Sequence, residues 1–247
     1  MPIELGKLPN LRKLIIPDQG KTFIDMDLDS ADLRVVVKEA GENEMQAMLD
    51  EGKKVYVEVM KEYYRDPTLT KHHAKYVTFK SLCHGTNYLG KVRGLAAQTG
   101  LLVSEVERVQ KWYLGKFPRI KTHWHDKIIE QLSKSRSVTN AFGFRRFYFD
   151  RLDSVLNEAV AWIPQSTVGL AINHALCNIC DNLPQVDVLL QVHDSLAMQT
   201  DTALLASTIP LIRQQSLIPI PYPEPLIIPV GFKTSPVSWG DCEEYSA

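Results

Sequence analysis

The chain is expected to fold as an α+β protein, with strands at its two ends and a helical insertion between them. Three observations predict this. A period-two run at 21–28 opens the fold, and a tight hairpin signal at 186–199 comes far downstream. Between them, successive segments repeat their apolar residues at helical spacing.

Taken in order, 21–28 puts Phe23, Asp25 and Asp27 on one face of a strand and Thr22, Ile24, Met26 and Leu28 on the other. Helices are expected at 31–40, 54–64, 70–83, 103–114 and 118–132. The stretch 140–149 alternates like a strand or hairpin, and two further helices are expected at 154–162 and 165–182. Runs 186–192 and 195–199 make a tight hairpin with His193 and Asp194 at its tip. The apolar residues ahead of His193 predict that this hairpin is buried. A helix at 203–215, a rigid Pro-rich connector at 219–225 and a strand near 226–230 close the chain.

At 247 residues, 45% hydrophobic and 23% charged, the chain can bury a sizeable core. No apolar run approaches the length needed to span a membrane, and no basic-then-apolar signal opens the sequence. Four cysteines without framework spacing suit a reducing compartment, so a cytoplasmic location is expected, that of the host if the gene is a phage's. Cys177 and Cys180 form a C-x-x-C inside a helical run, read as a buried helix face rather than a metal or redox site. The net charge of −1 conceals an asymmetry: residues 61–150 carry 17 Lys and Arg against 7 Asp and Glu. A basic middle suits phosphate.

Three stretches carry the chemistry: Asp27-Leu-Asp-Ser-Ala-Asp32-Leu-Arg34, Lys80-Ser-Leu-Cys-His84-Gly85-Thr-Asn-Tyr88, and Gln191-Val-His193-Asp194-Ser195. The first and third each set a carboxylate beside an apolar, strand-like run. The second sets Lys80, His84 and Tyr88 four residues apart on one helix face. Two carboxylates from distant parts of a chain can hold a pair of Mg²⁺ ions, and a cationic helix can hold a triphosphate. In this order the stretches point to nucleotidyl transfer. Either carboxylate alone reads more simply as a surface turn acid, and the helix alone as an amphipathic one with a core histidine.

Together these stretches resemble DNA polymerase family A, the bacterial polymerase-one and podophage replicase type, from about Pro9 to Trp239. The family's form D-x-x-x-x-E-L-R is met by Asp27, Asp32, Leu33 and Arg34. Its form R-x-x-x-K-x-x-x-(F/Y/H)-G-x-x-Y is met by Lys80, His84, Gly85 and Tyr88, with Tyr76 where the arginine belongs. Its V-H-D-E hairpin is met by Val192, His193 and Asp194, with Ser195 in place of the glutamate. Weaker matches lie at Gly143, Phe144, Arg145 and Arg146, and at Pro164 to Thr167.

The resemblance implies a palm, an antiparallel sheet, split by helical fingers: 1–30 palm, 31–138 fingers and 139–247 palm, with neither thumb nor exonuclease domain. It implies a template-directed DNA polymerase core using two Mg²⁺ ions held by Asp27 and Asp194, with Lys80 neutralising triphosphate charge and in position to protonate the leaving pyrophosphate. Asp25 shares the strand face of Asp27, but the spacing to Asp32 selects Asp27. Asp32 takes the place of the glutamate that crowds a ribose 2′-hydroxyl, His84 that of the ring packing on the incoming nucleotide, and Tyr88 that of the template-base position. Gly85 allows close backbone approach. His73 and Lys75, beside Tyr76 at the start of the same helix, are candidates to replace the lost arginine. A histidine further upstream becomes Tyr56. Arg145, Arg146, Gln165 and His193 are the implied DNA contacts, while the asparagine and arginine ahead of Gln165 become Ala161 and Asn157. The implied partners are primer-template DNA, deoxynucleoside triphosphates and a separate thumb and exonuclease polypeptide. The alternative is a weak or inactive fragment that binds primed DNA or a replication partner.

Overall fold

The computed structural model describes residues 10–245. In chain order its first elements are β1 (Lys21–Leu28), α1 (Ala31–Ala40), α2 (Asn43–Asp50), α3 (Val55–Tyr64), α4 (Lys75–Asn87), α5 (Val92–Thr99) and α6 (Val103–Lys116). A π-helical turn (Ile120–His125), α7 (Asp126–Ser135), β2 (Ser137–Thr139), β3 (Arg145–Phe147) and α8 (Leu152–Asn182) follow. The chain then forms β4 (Asp187–Val192), β5 (Ser195–Asp201), α9 (Leu205–Ser216), β6 (Pro219–Ile220), β7 (Leu226–Ile227), β8 (Val230–Ser235) and β9 (Glu243–Glu244). Two compact units divide it: one runs to Ala31 and resumes at Val168, and the other is Asp32–Thr167.

The first unit holds a five-stranded sheet in the order β4-β5-β1-β8-β9, antiparallel at every pairing. The period-two pattern of 21–28 gives β1, which lies between β5 and β8 with Phe23, Ile24 and Met26 fully buried. Both faces of the strand are therefore covered near its start; Phe23 stacks on Trp239 with ring centroids 6.0 Å apart. Only toward its end does the strand open, where Asp27 is exposed. The expected strand near 226–230 is two strands. β7 folds back on β6 within the Pro-rich stretch, and β8 runs on to Ser235 beside β1. Only one strand of the β4–β5 hairpin is buried: residues 196–200 of β5 are buried on both faces, and no residue of β4 is. β4 is the sheet's edge, Leu189 and Leu190 are about two-fifths exposed, and a bulge falls between Val188 and Leu190. A continuous apolar run does not distinguish a central strand from a bulged edge.

The second unit is a helical assembly around Phe79, Tyr113, Phe117, Trp124 and Ile128, all almost wholly buried. Its helix α4 starts at Lys75 rather than 70 and runs to Asn87. The Thr70 hydroxyl accepts the His72 N–H at 3.3 Å and the His73 ring accepts the Lys75 N–H at 3.2 Å. Such local bonds compete with helix formation, which delays the first turn. The eight-residue helices α2 and α5, too short to show a strong period, are additions to the expected set. The expected helix at 118–132 is a π-helical turn followed by α7. At 140–149 the chain forms the turn and second strand of the β2–β3 hairpin. There the Asn140 side chain accepts the Phe142 and Phe144 N–H groups at 3.1 and 3.0 Å.

The two helices expected at 154–162 and 165–182 are one, α8, running through Pro164. An interior proline costs about 3 kcal/mol by losing a hydrogen bond and crowding the preceding turn. Here Val160, Ile163, Thr167 and Val168 are all buried around it, and that burial offsets the cost. Cys177 and Cys180 lie on the exposed side of α8, so the reading of a buried face at the C-x-x-C is corrected. The interior of that stretch is carried instead by Ile172, Ala175 and Ile179.

Candidate functional site

In the first unit, strand pairing brings the two carboxylates of the sequence motifs to the same end of the sheet. Asp27 pairs with Ser195 on β5 and with Gly231 on β8, and the next N–H, of Leu28, donates to the Asp194 carbonyl at 3.1 Å. Asp194 follows His193 in the two-residue turn between β4 and β5, and His193 adopts φ 54°, the left-handed region that costs a side-chain-bearing residue energy. The Ser195 hydroxyl donates to the Val192 carbonyl at 2.9 Å, closing the same turn. Where the family form has glutamate, this chain uses its side chain to lock the hairpin.

The electrostatics of that corner are repulsive. Crowding by protein atoms, then the like charges of Asp194 and Asp25, push the Asp27 carboxyl up to about 6, against a smaller opposing pull from Lys233. Asp27 nevertheless keeps an exposed edge. Lys233 pairs with Asp25 across β1 and β8. A carboxylate cluster that raises its own proton affinity while facing solvent is a suitable hard-oxygen site for a divalent cation. Among the described residues no three His, Cys, Asp or Glu side chains gather as a metal-binding group. Two carboxylates suffice for Mg²⁺ when substrate phosphates and water complete its shell.

In the second unit, α4 carries Tyr76, Lys80 and His84 at four-residue intervals, with Tyr88 at its C-terminal cap. Lys80 is exposed, and Tyr76, His84 and Tyr88 are half-buried. The Tyr88 hydroxyl donates to Asp32 Oδ2 at 2.8 Å, and burial followed by the Asp32 charge pushes the phenol well above its ordinary range. The His84 ring meets that of Tyr88 edge-on at 4.6 Å, and burial draws the imidazole below its usual value. One connected set, Asp32, Tyr88 and His84, thus joins the first turn of α1 to the end of α4.

One expectation for this helix is corrected: His73, expected at its start, precedes α4. Its ring caps the Lys75 N–H, and the Lys75 ammonium lies 4.6 Å from the Tyr64 ring centre. At Gly85, where close backbone approach was expected, the neighbour that comes close is α5. A Cβ there would fall 2.4 Å from Leu95 Cδ2 on α5. One at Gly90 would fall 2.7 Å from the Gly85 carbonyl oxygen, which already accepts the Gly90 N–H at 2.7 Å.

Beneath the helix end lies a polar cluster that residue-by-residue reading misses. The buried Asn87 amide donates to the Tyr56 hydroxyl at 3.3 Å, and its side-chain oxygen accepts the Tyr113 hydroxyl at 3.0 Å. Its carbonyl bonds His125 Nε2 at 2.8 Å. Since a carbonyl only accepts, Nε2 carries the hydrogen. Protonating the buried Nδ1 would add a donor where no protein acceptor lies, and burial holds this imidazole below its ordinary value. Tyr56 is thus part of the support under Tyr88. The signal available in the sequence was a polar pair, Thr86 and Asn87, at the end of a helix face that otherwise buries Phe79, Leu82 and Cys83.

Of the implied DNA contacts, Arg145 and Arg146 lie exposed on β3, Gln165 is exposed on α8 and His193 is exposed in its turn. Arg146 pairs with Glu158 and lies 5.2 Å over the Tyr148 ring, and Arg145 lies 6.0 Å over Phe147. No helix of the described residues is long and apolar enough to cross a membrane.

The chain is 24% identical over 245 residues to the thermostable DNA polymerase I of Thermus filiformis, covering 94% of this chain and 29% of that protein. Identity and coverage are the same for the thermostable enzyme of Thermus thermophilus. The chain thus spans about three-tenths of the length of these relatives. A solved structure described as the POL domain of Pol1 from M. smegmatis, in complex with DNA primer-template and dNTP, superposes with a TM-score of 0.80 at 17% identity. The match covers 91% of this chain and 41% of that one. That likeness concerns the fold, a mixed antiparallel sheet and helical assembly. The sequence profile of DNA polymerase family A matches residues 1–219, and the chain belongs to that family.

Proposed function

We propose that the chain is the catalytic core of a template-directed DNA polymerase, adding deoxynucleotides to a primer 3′-hydroxyl. The observation that carries this reading is the strand register that sets Asp27 against the Asp194 turn at one open end of the sheet. In this reading Asp27 and Asp194 would hold Mg²⁺, which when bound supplies Lewis-acid activation of the attacking hydroxyl and charge neutralisation at the leaving pyrophosphate. Lys80 binds the triphosphate and lends it positive charge. The His84 ring packs on the incoming sugar and base, and Asp32, fixed by Tyr88, limits the space at the sugar's 2′ position. Arg145, Arg146, Gln165 and His193 bind primer-template DNA. Single-nucleotide primer extension with Mg²⁺, comparing wild type with Asp194→Ala, tests the proposal. Extension that vanishes in the variant supports it.

One observation favours a second reading, a DNA-binding fragment with little synthesis. Tyr76 stands where the family places a triphosphate-gripping arginine, and its half-buried ring brings no charge. Retained primer-template binding with no extension by the wild type would favour that reading.

A further inference from the structure

The β2–β3 hairpin and its flanks carry exposed rings that these assignments leave unused. Phe144, Phe147 and Phe149 are 60%, 53% and 92% exposed, and they alternate with Arg145, Arg146 and an inward-facing Tyr148 that is only 4% exposed. Large exposed rings clustered on one short segment are unusual on a protein surface.

These rings stand on a braced support. The Tyr148 N–H donates to the Arg136 carbonyl at 2.8 Å, and Arg136 Nε returns a bond to the Tyr148 carbonyl at 3.2 Å. The same guanidinium also bonds the Asp150 carbonyl, so both neighbours of Phe149 are tied down while its own ring projects. At the other end, Asn140 fixes the turn by accepting two backbone N–H groups and donating to Ser166 at 2.9 Å. The arginines follow the rings: Arg145 lies over Phe147 and Arg146 over Tyr148. From Lys134 to Arg151 the sequence holds five lysines and arginines against one carboxylate, Asp150. A protein partner would suit exposed phenylalanines alone. Rings interleaved with cations on a rigid ribbon suit a chain whose bases stack and whose phosphates repeat.

We infer that the β2–β3 hairpin is a stacking platform for single-stranded DNA, with unpaired bases on Phe147 and Phe149 and a phosphate on Arg145. The inference rests on the nucleic-acid reading of the chain for its choice of ligand. Duplex DNA keeps its bases paired and offers these rings little, so the site discriminates single strand from double.

The test measures binding of a fluorescein-labelled oligodeoxythymidine, and of a blunt duplex of the same length, by anisotropy at fixed low salt. The full chain is compared with Phe147→Ala/Phe149→Ala and with Phe149→Trp. Both side chains changed are exposed, so folding is checked simply by circular dichroism. The expected result is at least a tenfold loss of single-strand affinity in the double alanine variant, duplex affinity within twofold, and wild-type or tighter single-strand binding in the Trp variant. Unchanged single-strand binding, or equal loss for both ligands, would overturn the inference. So would a dimer in sedimentation that the double variant abolishes, since the rings would then be a self-association surface. Primer extension is scored separately. A chain inactive in extension that still shows phenylalanine-dependent single-strand binding sinks the polymerase reading and keeps this one.

Discussion

Replacing Asp27 by Asn should make the metal-free protein more stable at neutral pH. The Asp27 carboxyl is raised from its ordinary 3.8 to about 6 by crowding and by Asp194 and Asp25. Fully expressed in folding, such a rise corresponds to roughly 3 kcal/mol. Asp27 is exposed, and solvent screening reduces the figure to about 1 kcal/mol. A raised acid favours the folded state in acid, where both states are protonated. The penalty therefore grows from about pH 4 to about 6 and is complete above that. In EDTA near neutral pH, Asp27→Asn should gain about 1 kcal/mol, or roughly 2–4 °C in Tm, and the gain should vanish near pH 3.5. Added salt should shrink it, because part of it is repulsion between exposed charges. Millimolar Mg²⁺ should stabilise wild type and leave the variant unmoved. Thermal melts followed by circular dichroism across pH, with and without Mg²⁺, measure all of this. A variant no more stable than wild type in EDTA, or a gain that persists at pH 3.5, would refute the reasoning.

The buried cluster around Asn87 makes a stability prediction: Asn87→Leu strands the Tyr56 and Tyr113 hydroxyls and should cost about 2–4 kcal/mol in denaturant titration. A cost under about 1 kcal/mol would mean that water or side-chain shifts satisfy both phenols. Gly85→Ala drives a methyl into Leu95 and should cost about 1–3 kcal/mol, with Leu95→Val in the same chain recovering part of it. Purely additive losses would show that the two positions do not share the space. His125, held below its usual value by burial, contributes stability that is present above about pH 6.5 and is lost as pH falls further. His125→Gln, with a side-chain amide in the ring's place, should flatten that acid limb in pH-dependent melts. Asp32 is one methylene shorter than the family's glutamate, so Asp32→Glu should tighten the preference for dATP over ATP in single-turnover incorporation. A variant no stricter than wild type would remove Asp32 from that role.

What the sequence discloses tracks how local the cause is. β1 and α1 come out with the expected bounds because each obeys a single period over its whole length. The pairing of Asp27 with Asp194 followed from the resemblance of the ordered motifs to the family, because either carboxylate alone read as a surface turn acid. The start of α4 was not. It depends on a hydroxyl and an imidazole taking two backbone N–H groups, a choice invisible to hydrophobic spacing. Pro164 read as a gap between helices, and only the burial around it explains why α8 continues. The edge position of β4 depends on which strands pair, a property of the whole sheet. Gly85 was read as allowing close backbone approach. What comes close is Leu95, ten residues away on another helix, so the residue type was informative and the identity of its neighbour was not.

The bulge in β4 governs how this protein behaves toward its own kind. The strand that leads into the Asp194 turn has one row of backbone groups turned outward from the sheet, with Leu189 and Leu190 partly uncovered along it. A flat strand of that composition would accept a second chain alongside it and seed assembly. The extra residue between Val188 and Leu190 breaks the spacing of those outward groups and coils the strand away from a straight ladder. The open side that leaves the carboxylate turn accessible thus carries one out-of-step residue that disfavours strand-to-strand pairing. A chain with Leu189 deleted should pair cleanly, lose that protection, and become prone to fibre formation as its concentration rises.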